Sequence, residues 1–232
     1  MSRSGEQSIA RRFFLSRFGI GASVVGATLA GSAAAKPEAE DSRWQSARHA
    51  KDDWFDQIPG QHRLVFDTTS PEGMVAALQF ANNFYTANQN EYGLGEKDLA
   101  VVVVARHKST TFGYNDAMWA KYGKNFSEQS GYKDPKTNEA PLVNPHATPG
   151  NGTIPAGRMD ALLKKGLNLA VCQMATQNIS RTIARATGGD ADTVFKELGQ
   201  NLVANARLVP AGIVAVSRAQ ERGYTFVHGV AF

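Results

Sequence analysis

Residues 166 to 172 read Gly-Leu-Asn-Leu-Ala-Val-Cys, a mostly apolar run that ends on the only cysteine of the 232-residue chain. Leu167, Leu169 and Val171, with Ala170 between them, predict a strand buried on both faces, as in a parallel sheet covered by helices on each side. A helix is predicted over 175–187, because Ile179, Ile183 and Ala186 recur on one face. Cys172 then stands at the carboxyl end of a strand and just ahead of a helix. Ligands and reacting groups of open parallel sheets gather at that edge, and the partial positive charge of a helix N-terminus favours a thiolate. A lone cysteine at a strand end also serves as a small buried hydrophobe, so the local pattern leaves both readings open.

Working outward, Asp98 to Ala105 contains Leu-Ala-Val-Val-Val-Val, a β-branched run that predicts a central parallel strand, and Arg63 to Asp67 predicts another. Between them Ser70 and Pro71 offer a helix cap and a first-turn proline, and Met74, Ala77, Leu78, Ala81, Phe84 and Tyr85 carry an amphipathic helix to about Ala87. Asn115 to Tyr122 predicts a short helix stopped by Gly123, and 155–165 another stopped by Gly166. Downstream, Asp190 caps a helix marked by Val194, Leu198 and Leu202. Arg207 to Val209 is a short strand, 213–219 a helix, and Tyr224 to His228 the last strand. Five strands alternating with helices predict an α/β fold: a five-stranded, mainly parallel sheet with helices on both faces, in three layers.

The first 35 residues do not belong to that fold. Arg11 and Arg12 precede Phe13-Phe14-Leu15, a weakly apolar run extends from Phe18 to Ala30, and Ala33-Ala34-Ala35 offers a small-residue cleavage site. This is the pattern of a twin-arginine export signal, which places the mature protein in the periplasm and brings it to the membrane only during export. The predicted organisation is a signal over 1–35, an N-terminal extension over 36–60, and one domain over 61–232 with a loop insertion at 124–155. In the extension, Trp54 and Phe55, with Trp44 before them, predict a short helix whose aromatics pack on the domain or on a neighbouring subunit, an expectation of self-association. The signal holds four of the 25 basic residues and one of the 21 acidic ones, which leaves 21 against 20 in the mature chain. That balance, with no basic stripe, excludes a nucleic-acid partner. One cysteine cannot form an intramolecular disulfide.

Arg106, His107 and Lys108 end the Val-rich strand and are candidates for the same edge as Cys172, and Gln173 follows the cysteine directly. The long segment 124–155, rich in Asn, Gly, Pro and Thr, reads as a lid, an oligomer contact or an unstructured insertion. His146 within it has no second His or Cys at ligand spacing, so no metal is predicted. Neither the turn after Asp67 nor that after Ala105 has the glycine pattern of a phosphate cradle, which argues against flavin, and no cofactor is predicted.

Leu167 to Cys172 followed by an Ala- and Arg-bearing helix resembles the DsrE/DsrF-like sulfur-relay family. The closing block is similar to that family's ending: Val209-Pro210-Ala211-Gly212, then Arg218, Gln220, Gly223-Tyr224 and Phe226. Val104 to His107 resembles its strand end, although Lys108 stands where a glycine is expected. The resemblance covers about Arg63 to His228 outside the insertion. It implies a flavodoxin-like three-layer fold, assembly as a trimer or hexamer, and Cys172 as the sulfur-bearing thiol with His107 beside it; Arg106, Lys108 and Gln173 are expected as binding residues from their place at the same edge and not from the resemblance. The function it implies is a sulfur carrier or transferase exchanging sulfur with a partner protein or a small sulfur compound. The competing expectation is a non-catalytic accessory protein on the same fold, with Cys172 in the core.

Overall fold

The structure, a computed structural model, describes residues 45–147 and 158–229. The predicted export signal, Trp44 and residues 148–155 of the predicted insertion lie outside the described residues. Five strands, β1 (His62–Thr68), β2 (Leu99–Ala105), β3 (Asn168–Cys172), β4 (Ala206–Val209) and β5 (Thr225–Gly229), form an all-parallel sheet in the order β4-β3-β2-β1-β5. The helices are α1 (Trp54–Gln57), α2 (Pro71–Tyr92), α3 (Asp116–Ser130), α4 (Arg158–Lys164), α5 (Gln173–Thr187), α6 (Ala191–Gln200) and α7 (Gly212–Gln220), and a 3₁₀ turn spans His107–Gly113.

Every residue of β2 is buried because the sheet is covered on both faces. Leu99, Val101, Val103 and Ala105 meet the apolar stripes of α2 to α6 on one side, among them Met74, Leu78, Trp119, Ile183 and Leu198. Ala100, Val102 and Val104 point the other way, to Trp54, Phe55, Val216 and Ala219. Period-two alternation thus divides one strand between two cores. Trp54 and Phe55 are stacked, 3.8 Å between ring centroids, and buried within their own chain. In the described part of the N-terminal extension these aromatics thus pack on the domain, one of the two alternatives expected for them, and supply no free surface for self-association.

The caps act where the sequence places them. Gly73 donates to the Ser70 hydroxyl at 3.0 Å, and Thr193 donates its N–H to Asp190 at 2.7 Å. Two helices are longer than expected. α2 continues to Tyr92, where Gly93 takes up the left-handed conformation. α3 runs through Gly123 to Ser130, with Gly131 as its left-handed cap at φ 79°. Gly123 is no stop: a Cβ there would lie 2.2 Å from the Pro141 carbonyl oxygen, so the glycine lets the returning chain touch the helix. The first seven residues of the predicted insertion are consequently helix, and 141–147 is fixed backbone. Asn144, fully buried, donates to the carbonyls of Phe112 and Tyr114 at 2.9 and 2.7 Å and accepts from the N–H of His146 at 3.0 Å.

Candidate functional site

At the carboxyl edge of the sheet, β3 passes into α5 without a loop. Cys172 is the last strand residue and also the N-cap of α5, and its Sγ accepts the N–H of Ala175 at 3.5 Å. The Cys172 carbonyl accepts from the Thr176 hydroxyl at 2.9 Å, and Thr176 accepts in turn from the Tyr114 hydroxyl at 2.8 Å. Tyr114 is fully buried and its pKa is raised, first by burial, so this chain stays protonated and holds the β3–α5 junction still.

Cys172 is 7 % exposed and lines a cavity of about 450 Å³. Around it stand Arg106 and His107 from the end of β2, Gln129 of α3, Met174, Ala175, Asn178 and Arg181 of α5, and Ala211, Gly212 and Ile213 where α7 begins. The lining is thus part cationic and amide-bearing and part apolar. Gly212 is required by this arrangement, because a Cβ there would sit 2.6 Å from the Arg106 Cβ. The Val-Pro-Ala-Gly turn read from the sequence is what admits the arginine to the edge.

Arg106 is fixed by Asp67 at the neighbouring end of β1. Its Nε and Nη2 donate to the two carboxylate oxygens, each at 2.7 Å, a bidentate pair. The Asp67 side chain is 5 % exposed and that of Arg106 27 %. These hydrogen bonds raise the guanidinium pKa above its ordinary value, with further contributions from the charges of Asp67 and Cys172. His228, which pairs with Asp67 across β1 and β5, places Nδ1 3.4 Å from Oδ2 of the same carboxylate, the oxygen that accepts from Arg106 Nη2. The turn after β2 is set beneath them: Thr68 donates to the Val104 carbonyl at 2.8 Å, Ser109 to that of Thr68 at 2.8 Å, and Arg106 donates its N–H to the Ser109 hydroxyl at 3.1 Å. That turn holds His107 at φ 57°, in the left-handed region that non-glycine residues rarely enter.

Of the residues singled out in the sequence, Cys172, His107 and Arg106 come together at the cavity. Lys108 is exposed and Gln173 half-buried, and neither is among the described residues of the lining. For Lys108 the reason is geometric: a 3₁₀ turn rotates it by about a third of a circle from His107. Of the described part of 124–155, Gln129 lines the cavity, and it does so from α3. His146 lies elsewhere, packed on Phe112 with ring centroids 4.4 Å apart. It is buried with neither nitrogen hydrogen-bonded.

Sequence reading missed Asp67, Gln129, Asn178, Arg181 and His228. For two of them a signal existed, since Ala175, Asn178 and Arg181 recur every three residues after the cysteine and share its helix face. Arg181 has no ion-pair partner among the described residues, which leaves it the uncompensated cation of the cavity. No three His, Cys, Asp or Glu side chains gather at metal-binding distance among the described residues, and no helix among them is long and apolar enough to cross a membrane.

No family model matches this chain, and no curated protein matches it. Among solved structures it is similar to MTH1491 from Methanobacterium thermoautotrophicum, a protein of unknown function. The TM-score is 0.38 and the identity 15 %, over 72 % of this chain and 99 % of the other. A likeness that distant does not bear on the chemistry of the cavity.

Proposed function

We propose that this protein is exported to the periplasm and carries sulfur on Cys172, as its resemblance to the DsrE/DsrF-like sulfur-relay family implies. The observation that carries the reading is the placement of Sγ. It is the N-cap of a 15-residue helix, accepts that helix's N–H, and lines a cavity edged by Arg106 and Arg181. Helix N-terminus and guanidinium both favour an anionic sulfur. In the transfer, the Cys172 thiolate attacks the outer sulfur of a persulfide donor, R–S–SH. The new Cys172 S–S bond forms as the donor's S–S bond breaks, the donor leaves as its thiolate and takes the proton, and sulfur moves with no net oxidation. His107 and Arg106 face the resulting persulfide anion. Self-association belongs to the same reading, supported by Met174 and Ile213, 63 % and 58 % exposed at the cavity.

The test is intact mass spectrometry of the native protein after incubation with a small alkyl persulfide, before and after alkylation by iodoacetamide at pH 7. The expected result is a gain of one sulfur atom at Cys172, alkylation without denaturant, and loss of both in Cys172→Ser with the fold retained. A native protein that gains no sulfur and resists alkylation until unfolded would instead identify Cys172 as a core residue of an accessory protein.

A further inference from the structure

At the opposite, amino-terminal edge of the sheet, a second cavity of about 270 Å³ is lined by Tyr85, Gln89, Leu94, Glu96, Leu99 and Lys165. Nothing in the reading of Cys172 uses it. Tyr85 lies on the apolar face of α2, near its carboxyl end. It is 3 % exposed, lines the cavity, and its hydroxyl has no hydrogen-bond partner. A buried hydroxyl without a partner forfeits its hydration, and a tyrosine hydroxyl is a good donor to an anionic acceptor. Burial first, and then the charge of Glu96, raise its pKa, so it keeps the proton it would donate.

Two opposite charges share the lining. Lys165 holds its ammonium 5.8 Å from the centre of the Tyr85 ring, and Glu96 stands on the exposed turn between α2 and β2. Neither has an ion-pair partner among the described residues, and they do not pair with each other. Leu94 and Leu99 supply an apolar wall, and the Gln89 amide supplies a donor and an acceptor. The volume lies just below the range in which proteins bind drug-sized ligands, roughly 300–1,000 Å³, which suits a smaller molecule.

We propose that this cavity binds a zwitterion of amino-acid size with an apolar side chain. The carboxylate accepts from the Tyr85 hydroxyl and the Lys165 ammonium, the ligand's ammonium meets Glu96, and the side chain rests on Leu94 and Leu99. An anion alone would leave Glu96 uncompensated and a cation alone would leave Lys165 so; a dipolar ligand answers both charges and the tyrosine together.

The experiment is ligand-observed saturation-transfer NMR and isothermal titration of the full-chain protein with three probes: L-leucine, 4-methylpentanoate, which is leucine without its ammonium, and isoamylamine, which is leucine without its carboxylate. Leucine is expected to bind in the micromolar to millimolar range and the two singly charged probes about tenfold or more weaker. Tyr85→Phe, which keeps the ring under Lys165 and removes only the unpartnered hydroxyl, is expected to weaken leucine at least about fivefold while circular dichroism is unchanged. Lys165→Met, a substitution at a partly exposed position, should do the same with circular dichroism unchanged, and Glu96→Gln should bring 4-methylpentanoate level with leucine. The proposal is overturned if none of the three probes binds, which would assign the hydroxyl to a buried water only. It is equally overturned if Tyr85→Phe and Lys165→Met bind leucine as the parent does.

Discussion

Asp67→Asn isolates the contribution of the carboxylate that orders the cavity edge. In the parent, Asp67, whose side chain is nearly buried, receives two hydrogen bonds from Arg106, both at 2.7 Å. Asparagine keeps one acceptor and turns an N–H₂ toward the second guanidinium donor, so one charge-assisted bond is lost and the other becomes an ordinary one. Hydrogen bonds to charged groups contribute about 1.5–3 kcal/mol each, and the part-exposed guanidinium recovers some hydration, which places the expected loss near 2 kcal/mol. For a domain of this size that corresponds to a fall in Tm of about 4–8 °C. Urea unfolding of Asp67→Asn, Arg106→Gln and the double variant gives the coupling directly. Freed from Asp67, the guanidinium also turns toward Cys172, so the rate of alkylation by anionic iodoacetate should rise relative to that by neutral iodoacetamide. A coupling below about 0.5 kcal/mol together with an unchanged rate ratio would refute the claim that Asp67 positions Arg106.

His146 is buried without a hydrogen-bond partner, and burial lowers its pKa from 6.5 to about 3. The unfolded chain therefore takes up the proton first, so stability is lost as pH falls below 6.5; by pH 5 the loss is about 2 kcal/mol, and chemical denaturation should show that His146→Phe escapes it. Gly123→Ala drives a methyl group into the Pro141 carbonyl, at an expected cost of about 1–3 kcal/mol, and amide exchange should accelerate at Asn144 and His146, which that contact keeps in place. Changing Arg11 and Arg12 together to Lys should leave the precursor uncleaved inside the cell, as fractionation and mass spectrometry would show; normal export and cleavage of the double variant would refute the twin-arginine reading.

What the chain discloses to direct reading depends on how far apart the interacting residues lie. The β2 and β3 runs are legible because burial on both faces leaves an uninterrupted apolar stretch, and the caps at Ser70 and Asp190 because each acts within three residues of itself. Gly123 misleads for a physical reason. Glycine costs a helix about 1 kcal/mol relative to alanine and therefore reads as a stop, but here the missing Cβ admits a carbonyl 18 residues further on. Asp67 shows the same limit at the site. Alone, it is a polar residue near a strand end, and its role exists only once the β1–β2 register sets Asp67 opposite Val104 and brings Arg106 alongside.

The register also explains why the thiol and its cations meet from such different parts of the chain. Parallel pairing sets Cys172 opposite Val209 and Ala105 opposite Val171, so the residues that follow β2 and β4 converge on the end of β3. Arg106 and Gly212 are the first such residues that need each other's space, 2.6 Å between the arginine Cβ and an added glycine Cβ. A side chain at 212 would therefore displace Arg106 before it touched Cys172. The Val-Pro-Ala-Gly turn acts on the thiol through the arginine, and its glycine is a requirement of the site even though it supplies no chemistry.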